Sequence, residues 1–128
     1  MSLLTKEAIL NSTDRATKIV EVPAWGGSVT LQEMTGRQRD RFESIVLNEK
    51  VRRTIPDLKA WLVAQSIVDE QGNLMFTESE VGKLAEKSAL ALFDIVKHIR
   101  ELNGLEASAV ETAEKNSESA PNEDNGSD

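Results

Sequence analysis

The run Val22-Pro-Ala-Trp-Gly-Gly-Ser-Val-Thr-Leu-Gln-Glu-Met-Thr-Gly-Arg-Gln-Arg-Asp-Arg-Phe42 decides how the chain folds. Pro23 cannot donate to a ladder, so it closes a strand that precedes it. Gly26-Gly27 supplies the positive φ that a tight connection needs. Ser28 to Gln32 then alternates as a returning strand, with Val29, Leu31 and Met34 on its apolar side. Thr35 is placed to cap a charged amphipathic helix. Hairpin, strand and capped helix follow one another within a single short segment.

Upstream, Thr17 to Val22 is β-branched and partly alternating, which predicts the first strand of a hairpin over about 17–34. Asn11-Ser12-Thr13-Asp14 is a cluster of side chains that bond their own backbone and interrupt regular structure. Before it, residues 2–11 read as a short helix, with Ser2 as its candidate N-cap and Leu3, Leu4, Ala8 and Ile9 on one side.

Downstream the period changes from 2 to 3.6. A helix is predicted over about 36–50, with Phe42, Ile45 and Val46 as its buried stripe. Ile55-Pro56-Asp57 breaks it, because the residue before proline avoids the α region. A second helix over about 57–68 gathers Leu58, Trp61, Leu62, Gln65 and Val68. Asp69 to Asn73 is a turn, and Leu74 to Phe76 a short extended segment. Thr77 and Glu80 have capping-box spacing ahead of a helix over about 78–87. Leu92, Ile95, Val96, Ile99 and Leu102 mark a last helix over about 89–103, stopped by Gly104. The fold class is therefore α+β, mainly α: an N-terminal β-hairpin followed by a bundle of about four helices. Residues 1–104 are expected to form one domain.

The chain has 128 residues and a formal charge of −7, unevenly spread. From Leu105 to Asp128 there are seven acids and one base, against fifteen acids and fourteen bases before it. Residues 105–128 are too polar to offset ordering entropy, and a disordered acidic tail is expected. Such a balance disfavours general nucleic-acid affinity, which rests on an excess of Lys and Arg. There is no cysteine, so disulfides, thiolate nucleophiles and Cys-based metal sites are excluded together. No basic segment leads into an apolar run at the N-terminus, and no apolar stretch approaches the ~20 residues that cross a bilayer. A cytoplasmic protein without a membrane anchor is expected.

Catalysis finds no foothold. His98, the one histidine, reads as a solvated or dipole-favoured side chain late in a helix, without a nucleophile or the partners zinc requires. Glu78 with Glu80, and Asp69 with Glu70, read as capping and turn residues rather than acid/base or metal pairs. No glycine cluster forms a phosphate loop. The chain is expected to be no enzyme and to use no cofactor and no metal. Interface chemistry is better represented. Arg37, Arg39 and Arg41 open one helix, where cations oppose the macrodipole. They read either as a solvated face or as a surface for an acidic partner. Trp61 reads as core. Trp25, at the hairpin tip, either folds back or projects as an anchor. The candidate interface residues are Trp25, Val29, Leu31, Arg37, Arg39 and Arg41, and the open edges of a two-stranded hairpin offer a site for another copy.

Leu31-Gln32-Glu33-Met34-Thr35-Gly36-Arg37-Gln38-Arg39-Asp40-Arg41-Phe42 resembles the outline of tail assembly chaperones from long-tailed phages of the HK97 and lambda-like type. In that family a strand pair carrying a Trp is followed by x-Leu-x-x-Met/Leu-Thr-x-x-x-Arg-x-x-Phe/Tyr, a helical body and a polar acidic tail. The resemblance implies a non-enzymatic protein that forms a homo-oligomer and binds the tape-measure protein, keeping it soluble until tail-tube subunits polymerise. It also implies a short form and a long form made by ribosomal frameshifting, with tail-tube protein recruited by the long form. It places the protein in the host cytoplasm and leaves it absent from the finished virion. A small nucleic-acid-binding regulator and a head–tail adaptor are the alternative readings of the same residues.

Overall fold

The computed structural model describes residues 2–54 and 56–105. The expected acidic tail therefore lies outside the described residues beyond Leu105. The architecture is α+β and mainly helical, in the order α1 (Lys6–Asn11), β1 (Thr17–Val22), β2 (Gly27–Gln32), α2 (Gly36–Leu47), α3 (Glu49–Arg53), α4 (Leu58–Ala64), β3 (Ile67–Val68), α5 (Val81–Ala85) and α6 (Ala89–Asn103).

The hairpin forms with Val20 opposite Val29 and Val22 opposite Gly27. Its connection is a 3₁₀ turn over Pro23–Trp25, ended by Gly26 at φ 75°. Only Gly26 of the glycine pair takes positive φ, so a single left-handed residue suffices to turn the chain. The hairpin is not two-stranded. β3 pairs antiparallel with β2, giving the order β1-β2-β3. Ile67 and Val68 thus leave the helix expected over 57–68 and join the sheet, as two β-branched residues on a buried edge favour. The Asp69 carboxylate accepts from the amides of Gln71 and Asn73. Gly72 at φ 83° completes this turn, which brings Leu74 back to bridge Val68.

Two further helices are shorter than their patterns suggest. Asn48 ends α2 and caps α3, its side chain accepting from the Val51 amide at 3.2 Å. Local side-chain bonding of this kind competes with helix continuation. The helix expected over 78–87 is a 3₁₀ turn over Glu78–Glu80 followed by α5. Ser88 then caps α6, accepting from the Ala91 amide. α6 ends as expected: Gly104 sits at φ 65°, and the Leu105 amide donates to the Arg100 carbonyl at 2.9 Å, the Schellman arrangement.

Helix α4, Leu-Lys-Ala-Trp-Leu-Val-Ala, is apolar nearly all round and lies in the middle of the core, with Leu62 and Val63 fully buried. It shares one core with Val20, Val22 and Leu31 of the sheet, Phe42 and Ile45 of α2, Val81 and Leu84 of α5, and Ile95, Val96 and Ile99 of α6. α1 stands apart. It starts at Lys6, capped by Thr5 rather than Ser2, and buries none of its residues. The apolar side read over residues 2–11 finds no core.

Candidate protein-interaction surface

Thr35 opens α2 through a reciprocal capping box. Its hydroxyl accepts from the Gln38 amide at 3.0 Å, while the Gln38 side chain accepts from the Thr35 amide at 2.8 Å. Gln38 also donates to the Gln65 carbonyl at the end of α4. Just before the cap, the Met34 amide donates to the side-chain oxygen of Asn103 at 2.8 Å, and the Asn103 side-chain nitrogen donates to the Ile99 carbonyl. Arg39 reaches the same place from α2, donating to the Asn103 main-chain carbonyl at 3.0 Å and to Glu43 at 3.0 Å. One asparagine thus ties the strand-to-helix junction to the C-terminal end of α6.

The candidate residues separate along these lines. Leu31 is wholly buried, and Val29 is partly buried and packed on the core. Both belong to the inner face of the sheet, and Leu31 is not on the surface of this chain. Trp25 folds back, half-buried against the core. Arg39 is held by Asn103 and Glu43. Arg41 pairs with Glu78 at 2.6 Å and lies 5.6 Å from the centroid of Trp61, a cation–π distance. Arg37 is exposed and has no ion-pair partner among the described residues. The three arginines do not converge on one site.

Another buried cation escaped the sequence pattern. Arg52 in α3 is 7% exposed and donates to the Val46 carbonyl at 3.2 Å. It braces the break between α2 and α3. His98 lies 3.9 Å from Asp94 and 3.7 Å from Glu101, on its own helix. Glu101 also accepts from Lys18 of β1 at 3.0 Å. That hydrogen bond, with the charge behind it, holds the Glu101 carboxyl below its ordinary range. Glu80 is shifted the same way, first by the Thr77 amide and then by its hydroxyl. Among the described residues no three His, Cys, Asp or Glu side chains form a metal-holding group, and no helix is long and apolar enough to cross a membrane.

Exposed apolar surface is the feature the sequence pattern left unassigned. Leu3, Leu4, Ile9 and Leu10 are 95%, 74%, 54% and 74% exposed along the N-terminal arm. Ile19, in the middle of β1, is 73% exposed. A groove of about 500 Å³ at the start of α6 is lined by Ala85, Leu90, Leu92 and Phe93 together with Lys59 and Lys87.

No family model and no curated protein sequence matches the chain. Among solved structures, it is similar to the tail assembly chaperone of bacteriophage HK97. The two share 22% identity with a TM-score of 0.53, over 76% of this chain and 89% of that one. The chain has the fold of that phage tail assembly chaperone, and the outline read between Leu31 and Phe42 lies within the described part of it.

Proposed function

We propose that the protein is a phage tail assembly chaperone that works by protein–protein binding and carries out no catalysis. The observation that carries this reading is the shared fold, which extends over nearly the whole of the HK97 tail assembly chaperone. The exposed apolar arm and the largely apolar groove at the start of α6 support it, because an apolar groove fits the apolar face of an amphipathic helix.

In this proposal the chain self-associates and binds the tape-measure protein, whose long helical body would otherwise aggregate. Tail-tube protein then polymerises around that complex, recruited by a frameshifted longer form. The work is done in the host cytoplasm, and the chaperone leaves before the virion is complete. Co-expression tests it: a tape-measure protein made with this chain should move into the soluble fraction and co-purify with it. A tape-measure protein that stays equally insoluble, without co-purification, overturns the proposal.

A further inference from the structure

The chain leaves the folded body where positive charge is left over. The Met34 amide and the Arg39 guanidinium both donate to Asn103, so the end of α6 sits on the junction between β2 and α2. Arg15 joins the same junction, donating to the Glu33 carbonyl at 3.1 Å. Gly104 turns the chain out of the helix, and Leu105 packs back on the core. Residue 106 therefore starts beside the junction, not beyond the tip of a projecting helix.

The carboxylates at this junction are already engaged. Glu33 accepts from the Ala16 amide, Glu43 from Arg39 and Glu101 from Lys18. Two cations remain. Arg15 is half-buried, and its acceptor is a neutral carbonyl that leaves its charge without a counter-ion. Arg37 is exposed, and at the start of α2 a cation opposes the helix dipole, so Arg37 gives its own helix nothing. Asp14 and Asp40, the acids nearest to them in sequence, pair with neither among the described residues.

We infer that residues 106–114 fold back over this junction, and that Glu106, Glu111 and Glu114 supply the counter-ions for Arg15 and Arg37. The segment reads Glu-Ala-Ser-Ala-Val-Glu-Thr-Ala-Glu, three acids and no base. Each extended residue adds up to ~3.5 Å, so Glu111 reaches as far as ~20 Å from Leu105. Exposed ion pairs are individually weak and screened by salt. A tether this short holds the carboxylates at an effective concentration in the mM range, which lets weak pairs persist. The groove at the start of α6 does not compete for the segment. It lies at the other end of a 15-residue helix, about 22 Å away, and Val110 is the one large apolar side chain the segment could offer it. The docked segment covers the cations at the strand-to-helix junction, so an acidic chain from elsewhere meets Arg37 only after the tail is displaced.

This goes beyond the proposed chaperone role, and its test needs no tape-measure protein. The chain has no cysteine, so Ser117→Cys offers a single site for a nitroxide label on the full-length, ¹⁵N-labelled protein. At low salt the label should broaden the amides of Arg15, Ala16, Gly36 and Arg37 and spare those of Leu90 and Phe93. Arg37→Gln, at an exposed position, should weaken docking about two- to fivefold. Replacing Glu106, Glu111 and Glu114 together with Gln should remove the broadening, as should ~0.5 M NaCl, where the screening length falls to about 4 Å. Nitroxide-labelled protein without ¹⁵N, mixed with ¹⁵N protein without the label, should leave these amides sharp. No broadening at low salt, broadening that survives both salt and the Glu→Gln changes, or broadening centred on the groove overturns the inference. Equal broadening in the mixture overturns it as well, because the tail would then belong to a second copy.

Discussion

Replacing Asn103 with alanine should loosen the junction on which the candidate segment is built. The Met34 amide, on a residue 6% exposed, loses its acceptor at 2.8 Å, and the Ile99 carbonyl loses a donor at 2.8 Å. Leaving a buried amide unsatisfied costs about 1–3 kcal/mol. Alanine's better helix propensity returns roughly 0.5 kcal/mol. The net loss is about 0.5–2.5 kcal/mol, which for a domain of this size corresponds to a fall of roughly 2–20 °C in melting temperature. Urea titration and thermal melting followed by circular dichroism would read both. Asn103→Asp is the informative companion: it keeps an acceptor for Met34 but gives up the donor to Ile99, so it should fall between alanine and asparagine. An Asn103→Ala variant melting within a degree or two of the unaltered protein would refute the reasoning, because the Met34 amide would then have no need of its partner.

Thr35→Ala removes the capping box at α2 and should cost about 1 kcal/mol in urea unfolding; a change below measurement error would count against the cap. Arg41→Ala removes both the Trp61 and Glu78 contacts; Arg41 and Glu78 are half-exposed, so a loss of about 0.5–1.5 kcal/mol is expected, with a shift in tryptophan fluorescence as its signature. Glu101 titrates below its ordinary value chiefly because Lys18 donates to it. A carboxyl whose folded value is depressed adds stability above its unfolded value, near ~4.3, and loses it as pH falls through the folded value. Lys18→Met should raise the Glu101 midpoint measured by NMR, and an unmoved midpoint would show that the pair does not set it.

Much of the fold is legible in the sequence where local chemistry and burial agree. The hairpin, the Thr35 cap and the Gly104 stop are each written in one or two residues whose preference no tertiary contact overrides. The stretch that carries the resemblance is legible too, but for a different reason than its surface charge suggests. Leu31 and Phe42 are core, Met34 is both core and donor, Thr35 is a cap, and Arg39 grips the end of α6. Most of the pattern describes how a strand is joined to a helix rather than what the protein touches.

What was illegible depended on distance in sequence. Asn103 looks like a helix-ending residue until Met34 is brought beside it, 69 positions away. Ile67 and Val68 continue a helical apolar period by count, and only the uncovered edge of β2 makes them a strand. Arg52 reads as one of a basic run, since nothing local shows that its guanidinium is needed at the Val46 carbonyl. The exposed apolar surfaces were hidden by a simple expectation, that apolar residues beside a strand are buried. Leu3, Leu4, Ile9 and Ile19 satisfy the pattern for burial and lie in solvent.

The proposed binding of a long helical partner, which would hold that partner in solution, is measured directly by sedimentation of a co-expression lysate. A tape-measure protein should shift from pellet to supernatant when this chain is present, elute with it on size-exclusion chromatography, and return to the pellet when the chain is omitted. A tape-measure protein that divides between pellet and supernatant identically with and without the chain would contradict it.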